Sequence, residues 1–424
     1  MNKPAFFTII ANNYTHFALT LFQSLRATGS TAKLFCVICD SYNKEVETAL
    51  QALSVDIIYD RMILGEHLTN MSFRYDITEY STSAKPFAFE YLFLLGYTQV
   101  TYLDPDIYVT GGLEQLLAED QFTSVTAILT PHSTVPVDDY CRPSDIDFLR
   151  CGVFNLGYIT INNGEESHQL LQWWKQKCAS YCDNNQEAGL FVDQKWCDLL
   201  PVFFDSIYIC KDLGFNAAYW NAHYRTLTRK DSIDYVNNSS FLYFFHFSGF
   251  NPLLSDRLSK YTSRHAPISD SALSSLASEF SQLLVANGYH SFSLIPYSYN
   301  YFSNNVLIGS LIRHIYAASE ETKFNPFAAP GDFYCKMKSL NMLQRSDLKI
   351  ASYIPRAVKP VNEGIYPRTS FPWFYRLFKV FCIIFGPARI SRLLANATKA
   401  YKYRILPSLF ANARPSLPTF HFRS

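Results

Sequence analysis

Gln99-Val100-Thr101-Tyr102-Leu103-Asp104-Pro105-Asp106-Ile107 sets a strand-like run against a pair of carboxylates one residue apart. The β-branched and aromatic residues of the run favour a strand inside a sheet. Two carboxylates at its end can chelate a divalent cation, directly or through its waters. Spacing alone does not decide, because a second D-x-D, Asp145-Ile146-Asp147, occurs. Asp-Pro-Asp also suits a turn, since Pro presets φ and Asp favours turn starts. Position raises the metal reading to a par with the turn: an apolar strand delivers the pair, and another strand-like run, Ile107-Tyr108-Val109, follows it.

Upstream, strand and helix signals alternate. Phe6 to Ile10, Lys33 to Cys39 and Val55 to Tyr59 read as strands. Phe17, Leu21 and Leu25 recur at helical spacing, and Lys44 to Leu53 and Lys85 to Leu95 read as helices. Strands separated by helices predict an α/β fold with a mainly parallel, doubly wound sheet. Ligands in such sheets sit at the carboxyl ends of the strands, which here are Asn12-Asn13-Tyr14, Asp40 and Asp104-Pro105-Asp106.

Beyond residue 150 the pattern is mixed. Gly152 to Ile161 and Phe241 to Phe247 read as strands, and Glu165 to Cys182, 270–286 and Val306 to Ala318 as helices. The expected organisation is a main domain over 1–265, a helical addition over 266–355 and a tail over 356–424. Residues 371–424 hold nine Lys or Arg and no acid, which leaves the rest with 28 basic against 36 acidic residues. Aromatics and cations mixed this way in Phe371 to Phe385 suit an anionic membrane surface, or a helix packed on the body. A formal net charge of +1 argues against a general nucleic-acid binder.

The ten cysteines are scattered. Cys36 and Cys39 stand three apart on a strand-like run and so point to opposite faces. Buried reduced thiols suit a reducing compartment. With too short an apolar start for a signal peptide and no apolar run of membrane-spanning length, the expectation is a cytoplasmic protein.

Two further side chains are candidates. His246, in Phe244-Phe245-His246-Phe247-Ser248-Gly249, lies near a strand end where a third ligand can meet the two Asp, although a core histidine is the plainer reading. Lys85 precedes Pro86 at a helix start, a place that favours phosphate, unless it is simply a solvated surface lysine.

The segment Gln99 to Ile107 resembles the D-x-D segment of GT-A glycosyltransferases, specifically bacterial sequences related to glycosyltransferase family 8. Ser83-Ala84-Lys85-Pro86-Phe87 resembles the basic segment before the metal strand. Cys151 to Tyr158 resembles the strand that places an Asn and a Gly at the sugar, here Asn155 and Gly157. Phe191-Val192-Asp193-Gln194 resembles the family's Asp-Gln pair, Gly214 to Asn221 its Asn segment with Asn216, and His246-Phe247-Ser248-Gly249 its His-x-x-Gly. The matches fall in order over residues 5 to about 252. One departure stands out: the family's Lys-Pro after that Gly is Phe250-Asn251-Pro252 here. Diphosphate neutralisation is thereby left to Lys85, the metal, or Arg257 or Lys260.

The resemblance implies a GT-A fold, a nucleotide-sugar donor, UDP-linked in the family's manner, and retention of anomeric configuration. Asp104, Asp106 and His246 would hold the cation, with Mn²⁺ favoured over Mg²⁺ by the nitrogen ligand. Asp193 and Gln194 would line the reaction centre, although Asp193 equally suits a helix cap over Lys195 to Leu200. Asn12, Asn13 and Tyr14 are placed for base and ribose, unless they form an ordinary polar turn. Lys85, Asn155, Gly157, Asn216 and Gly249 complete the expected donor site. The expected acceptor is a polysaccharide, a lipopolysaccharide or a lipid-linked glycan. A protein-modifying transferase and a catalytically silent nucleotide-sugar-binding module are the alternatives.

Overall fold

The computed structural model describes residues 3–343, except 263, 265–267, 269–270, 320–324 and 341. The basic tail, including the expected membrane-surface segment 371–424, lies outside the described residues. The chain divides into two compact units, Met1–Tyr299 and Asn300–Ser424. The first unit thus runs past the expected boundary at 265 and takes in the helix Ser271–Ala286, whose Leu276 and Phe280 pack with Phe247 and Phe250. In the second unit, helices Ser310–Ala318 and Asp332–Ser339 are joined by an edge contact of Tyr316 with Phe333.

The first unit is a mixed α/β layer structure. Its sheet contains β1 (Pro4–Ile10), β2 (Lys33–Ile38), β3 (Asp56–Tyr59), β4 (Gln99–Leu103), β6 (Ala127–Pro131), β7 (Phe154–Asn162) and the strand Ile207–Ile209. The order is Ile207–Ile209, β6, β7, β4, β1, β2, β3. Pairing is parallel except around β7, which runs antiparallel to both β4 and β6. Its start therefore lies at the edge where the parallel strands end, which brings Asn155 and Gly157 beside Asp104.

Period-two alternation splits β1 between two cores. Ala5, Phe7 and Ile9 enter one, and Phe6 and Ile10 the other, beneath helix α1 (Thr15–Ala27). Phe7 is fully buried, worth roughly 2–3 kcal/mol, and meets Phe89 of the helix Lys85–Leu94 edge-on at 4.9 Å. Helix α2 (Lys44–Gln51) is capped by Asn43, which accepts from the amides of Glu45 and Val46. Cys36 and Cys39 lie in different cores, as their spacing requires.

The expected strand over 241–247 is broken. Ser240–Phe241 pairs with Ile233–Val236, whereas Phe244–His246 joins a second small sheet. Between them the Leu242 and Tyr243 carbonyls are taken by Thr110 and Gly111, so the chain changes sheets there. In the second sheet Phe244–His246 pairs antiparallel with β5 (Ile107–Val109), and His246 lies opposite Ile107.

Candidate metal centre

The Asp-Pro-Asp turn and the metal reading turn out to be compatible. The amide of Ile107 donates to the Asp104 carbonyl at 3.1 Å, closing a turn around Pro105. That turn links β4 to β5, and the β5 pairing carries His246 to it. His246 Nε2 lies 3.0 Å from Asp106 Oδ1 and 3.5 Å from Asp104 Oδ2. The three ligand atoms all fall within 4.8 Å of one another. His246 is 2% exposed, whereas the Asp104 and Asp106 side chains remain 29% and 18% exposed. The group is closed behind and open in front.

The imidazole is oriented from behind. Asn216 Oδ1 lies 3.3 Å from His246 Nδ1. The Asn216 amide nitrogen is committed to Thr130 Oγ1 at 2.8 Å and to Asn155 Oδ1 at 3.0 Å. This orientation lets Nδ1 donate and turns Nε2 toward the two carboxylates, where it holds a proton against Asp106 or, once that proton is lost, can ligate a cation. Asn216 adopts a left-handed backbone, φ 51°, which Asn tolerates better than most residues. Asn221 braces the same turn through Ala218 N, His132 O and Asn216 O. Burial pulls the His246 pKa down, but Asp106 and Asp104 outweigh it and hold it above its ordinary value. Asn216→Ala is expected to weaken Mn²⁺ binding by about 10- to 100-fold, checked by calorimetric titration; unchanged affinity would remove Asn216 from the support of the site.

Lys85 is not the solvated lysine of the plainer reading, nor does it reach outward. Its side chain is 2% exposed, 3.0 Å from Asp193 and 3.9 Å from Asp104, and it donates to the Leu156 carbonyl at 2.9 Å. Its ammonium also sits 4.4 Å from the centroid of the Tyr102 ring. Burial opposes its charge, but Asp193 and Asp104 more than compensate and raise its pKa. Burial lifts Asp193 to about 6 despite the lysine. Asp104, Asp106 and Asp193 against Lys85 leave two negative charges, which one divalent cation cancels. Lys85→Met strips Asp193 of its partner and is expected to cost about 3–5 kcal/mol in urea unfolding. Adding Asp193→Asn should recover much of that loss, and a single variant as stable as wild type contradicts the pairing.

Asp193 does not cap the next helix. It precedes a 3-10 segment, Gln194–Leu199, and its side chain makes no capping bond. It is 1% exposed, so its place is beneath the centre rather than on an open wall. Gln194, also buried, clamps the start of β7: Oε1 accepts from Leu156 N at 3.1 Å and Nε2 donates to Cys151 O at 2.9 Å. Asn155 accepts from the Gly157 amide at 3.1 Å. Gly157 in turn accepts from the Asp104 amide at 2.7 Å.

Asn12 is 2% exposed and ties two strand ends together, its amide to Asp40 and its side chain to the Ser41 carbonyl. Asn13 is half-buried, and Tyr14 is exposed and stacked on Phe17 at 5.1 Å. Gly249 turns the chain at φ 72°, and a Cβ there would meet the Tyr261 ring at 2.7 Å. Arg257 and Lys260 are exposed on the loop that follows. The second D-x-D is structural: Asp147 forms a capping box with Ser144, and Asp145 accepts from Val137 N.

Two contributors were missed in the sequence. Tyr102 donates its hydroxyl to Asp104 Oδ1 at 2.5 Å; the i, i+2 spacing on β4 is the signal that puts both on one side. Trp220 lies edge-on to His246 at 5.0 Å, and no local signal marks that contact.

No known family profile matches the chain. Among curated proteins it is similar to the uncharacterized protein YfnF of Bacillus subtilis (strain 168), 24% identical over 250 residues, 58% of this chain and 81% of YfnF. It is also similar to the uncharacterized protein YfnD of the same organism, 28% identical over 151 residues. That match covers 35% of this chain and spans less than half of YfnD, 46%. Among solved structures it is similar to the galactosyltransferase LgtC in complex with donor and acceptor sugar analogs, at 14% identity and a TM-score of 0.40, over 66% of this chain and 95% of that one. The glycosyltransferase GlyE of Streptococcus pneumoniae TIGR4 aligns at 18% identity and a TM-score of 0.37, over 71% of this chain and 67% of that one. At these values no family is assigned. Among the described residues no helix is long and apolar enough to cross a membrane.

Proposed function

We propose that this chain is a metal-dependent glycosyltransferase of GT-A type that moves a sugar from a nucleoside-diphosphate sugar to a glycan. The observation that carries this reading is the meeting of Asp104, Asp106 and His246 at the carboxyl edge of a mainly parallel sheet. Two carboxylates and an imidazole suit Mn²⁺ better than Mg²⁺, and a cation bound there would offset charge on the departing diphosphate as a Lewis acid.

The chain's own residues prepare that place. Tyr102 holds one oxygen of Asp104, which leaves Oδ2 toward His246. Lys85 and Asp193 set the charge beneath, and Gln194 and Asn155 fix the backbone from which Gly157 faces the centre. Asp193 and Gln194 in this reading position the reaction centre from below. With Asn12 engaged internally, contact with the base falls to Tyr14 and Asn13. With Lys85 buried, outer neutralisation of the diphosphate falls to Arg257 and Lys260. In the transfer, the bond from the anomeric carbon to the diphosphate oxygen breaks and a bond to the acceptor oxygen forms. The acceptor proton passes to the leaving diphosphate on the same face, which retains configuration. A UDP-sugar is the expected donor, and a polysaccharide or lipopolysaccharide the expected acceptor.

Thermal unfolding and nucleotide release measured with UDP-, GDP- and CDP-sugars, with Mn²⁺ or with EDTA, test the reading. A donor at about 100 times its dissociation constant stabilises the fold by about 2.7 kcal/mol, so one donor should raise the unfolding temperature and release nucleotide only when Mn²⁺ is present. No donor-dependent shift and no release, or release undiminished by EDTA, would overturn it.

A further inference from the structure

The proposed transfer uses the strand ends at Asn13-Tyr14 and Asp104-Asp106 and leaves a third, Asp40, without a task. Asp40 follows β2 and is 2% exposed. Its Oδ2 accepts from Asn12 N at 3.2 Å. Its Oδ1 accepts from Ser41 N at 2.8 Å, from Ser298 N at 3.0 Å and from the Ser298 hydroxyl. None of these donors is charged. A buried carboxylate without a counter-charge is costly and is tolerated only where donors converge on it.

The bonds to Asp40 join two segments far apart in the chain. One is the turn Asn12–Tyr14, which leads β1 into α1. Asn12 is fixed there at two more points: Nδ2 donates to the Ser41 carbonyl at 2.9 Å, and the Asn12 carbonyl accepts from Thr15 Oγ1 at 2.7 Å. The other segment carries Ser298, 258 residues beyond Asp40. Its Tyr297 is buried in the same core as Phe7. Its Tyr299 donates to Asp60 Oδ2 at 2.8 Å, the oxygen that also accepts from Tyr80 at 2.9 Å. Asp60 directly follows β3 and is 3% exposed. Upstream of this segment, Tyr289 meets His16 of α1 edge-on at 5.2 Å. Two buried carboxylates at neighbouring strand ends thus pin a strap beside the turn, all within the first unit.

The turn so held is where the proposed function puts the nucleoside. Ser298 acts on it through Asp40: its hydroxyl donates to the carboxylate and accepts from Ser41 N at 3.1 Å. The metal centre is held by other bonds, from Tyr102, Asn216 and Lys85, and none of them involves Asp40, Ser298 or Asn12. The two ends of a bound nucleotide are therefore set by separate networks. We infer that Asp40 and Ser298 are positioning residues for the nucleoside end of the donor site, fixing the pose in which Asn13 and Tyr14 meet base and ribose. The inference rests on the transferase reading above.

Calorimetric titration of the full chain in Mn²⁺ with UDP, GDP, CDP and inorganic pyrophosphate tests this. The wild type is expected to bind one nucleoside diphosphate more tightly than pyrophosphate. Ser298→Ala should weaken that nucleotide by about tenfold, the worth of one hydrogen bond to a charged group. Its pyrophosphate and Mn²⁺ affinities should stay within about twofold of wild type. Ser298→Thr keeps the hydroxyl and should restore the affinity, and Tyr299→Phe, which frees the second pin, should act in the same direction as Ser298→Ala. In turnover the loss should fall on the donor KM rather than on kcat. Unchanged nucleotide affinity in Ser298→Ala overturns the inference. So does an equal loss for nucleotide and pyrophosphate, which marks a general structural role. A wild type that binds pyrophosphate but no nucleoside diphosphate more tightly overturns it and leaves the metal centre standing. A wild type that binds none of the four overturns the transferase reading along with it.

Discussion

Asp106→Asn is expected to leave a folded protein whose Mn²⁺-dependent release of nucleotide from its sugar donor falls by about 1000-fold. The carboxylate sits 3.0 Å from His246 Nε2 and keeps one face toward solvent, 18% exposed. An amide fills the same volume but removes the charge, so the fold loses little while the cation loses a hard anionic ligand. The backbone bond that registers the site, from Phe247 N to the Asp106 carbonyl at 2.9 Å, is untouched by the change. Asp104→Asn should behave alike, with an added loss at the Tyr102 hydroxyl, which donates to Oδ1. Turnover near wild type at saturating Mn²⁺ in either variant would dissolve the assignment. Steady-state nucleotide release and calorimetric Mn²⁺ titration measure both halves of the effect.

Gly157→Ala is expected to damage the centre without removing any of its ligands. A Cβ there would stand 2.2 Å from His246 Cε1, 2.7 Å from Nδ1 and 2.8 Å from Asp104 Oδ2. The backbone cannot retreat, because Gly157 accepts from Asp104 N and donates to Asn155 Oδ1. The imidazole must turn, giving up Asn216 on one side and Asp106 on the other. We expect a cost of about 1–3 kcal/mol in stability and about a 100-fold loss in Mn²⁺ affinity. Affinity equal to wild type in a folded Gly157→Ala protein would mean that His246 does not face the cation.

Much of this arrangement can be read from the chain because it is local. The alternation in Phe6 to Ile10 and the run Gln99 to Leu103 are strands within a residue or two of their expected bounds, since period-two burial leaves few alternatives. The position of Asp104 and Asp106 at a strand end follows from that. What stays hidden depends on contacts distant in sequence. Lys85 reads as a phosphate-facing or solvated lysine at a helix start until Asp193 and Leu156 are brought to it across the sheet. The break at Leu242-Tyr243 comes from carbonyls claimed by Thr110 and Gly111, more than 100 residues upstream. Asp193 has the look of a helix cap, yet its side chain is taken by Lys85 and the helix begins without it. His246 is half legible: the aromatic run around it suggests core, its place near a strand end suggests a third ligand, and the pairing with Ile107 brings it to the carboxylates.

Anomalous diffraction at the manganese edge, from crystals of the full chain grown with MnCl₂ and UDP, addresses the three-ligand centre most directly. A single strong peak bonded to Asp104, Asp106 and His246 Nε2, with the diphosphate completing its coordination, is the expected result. Ordered UDP with no peak among those three side chains, or a peak bound elsewhere, would contradict it.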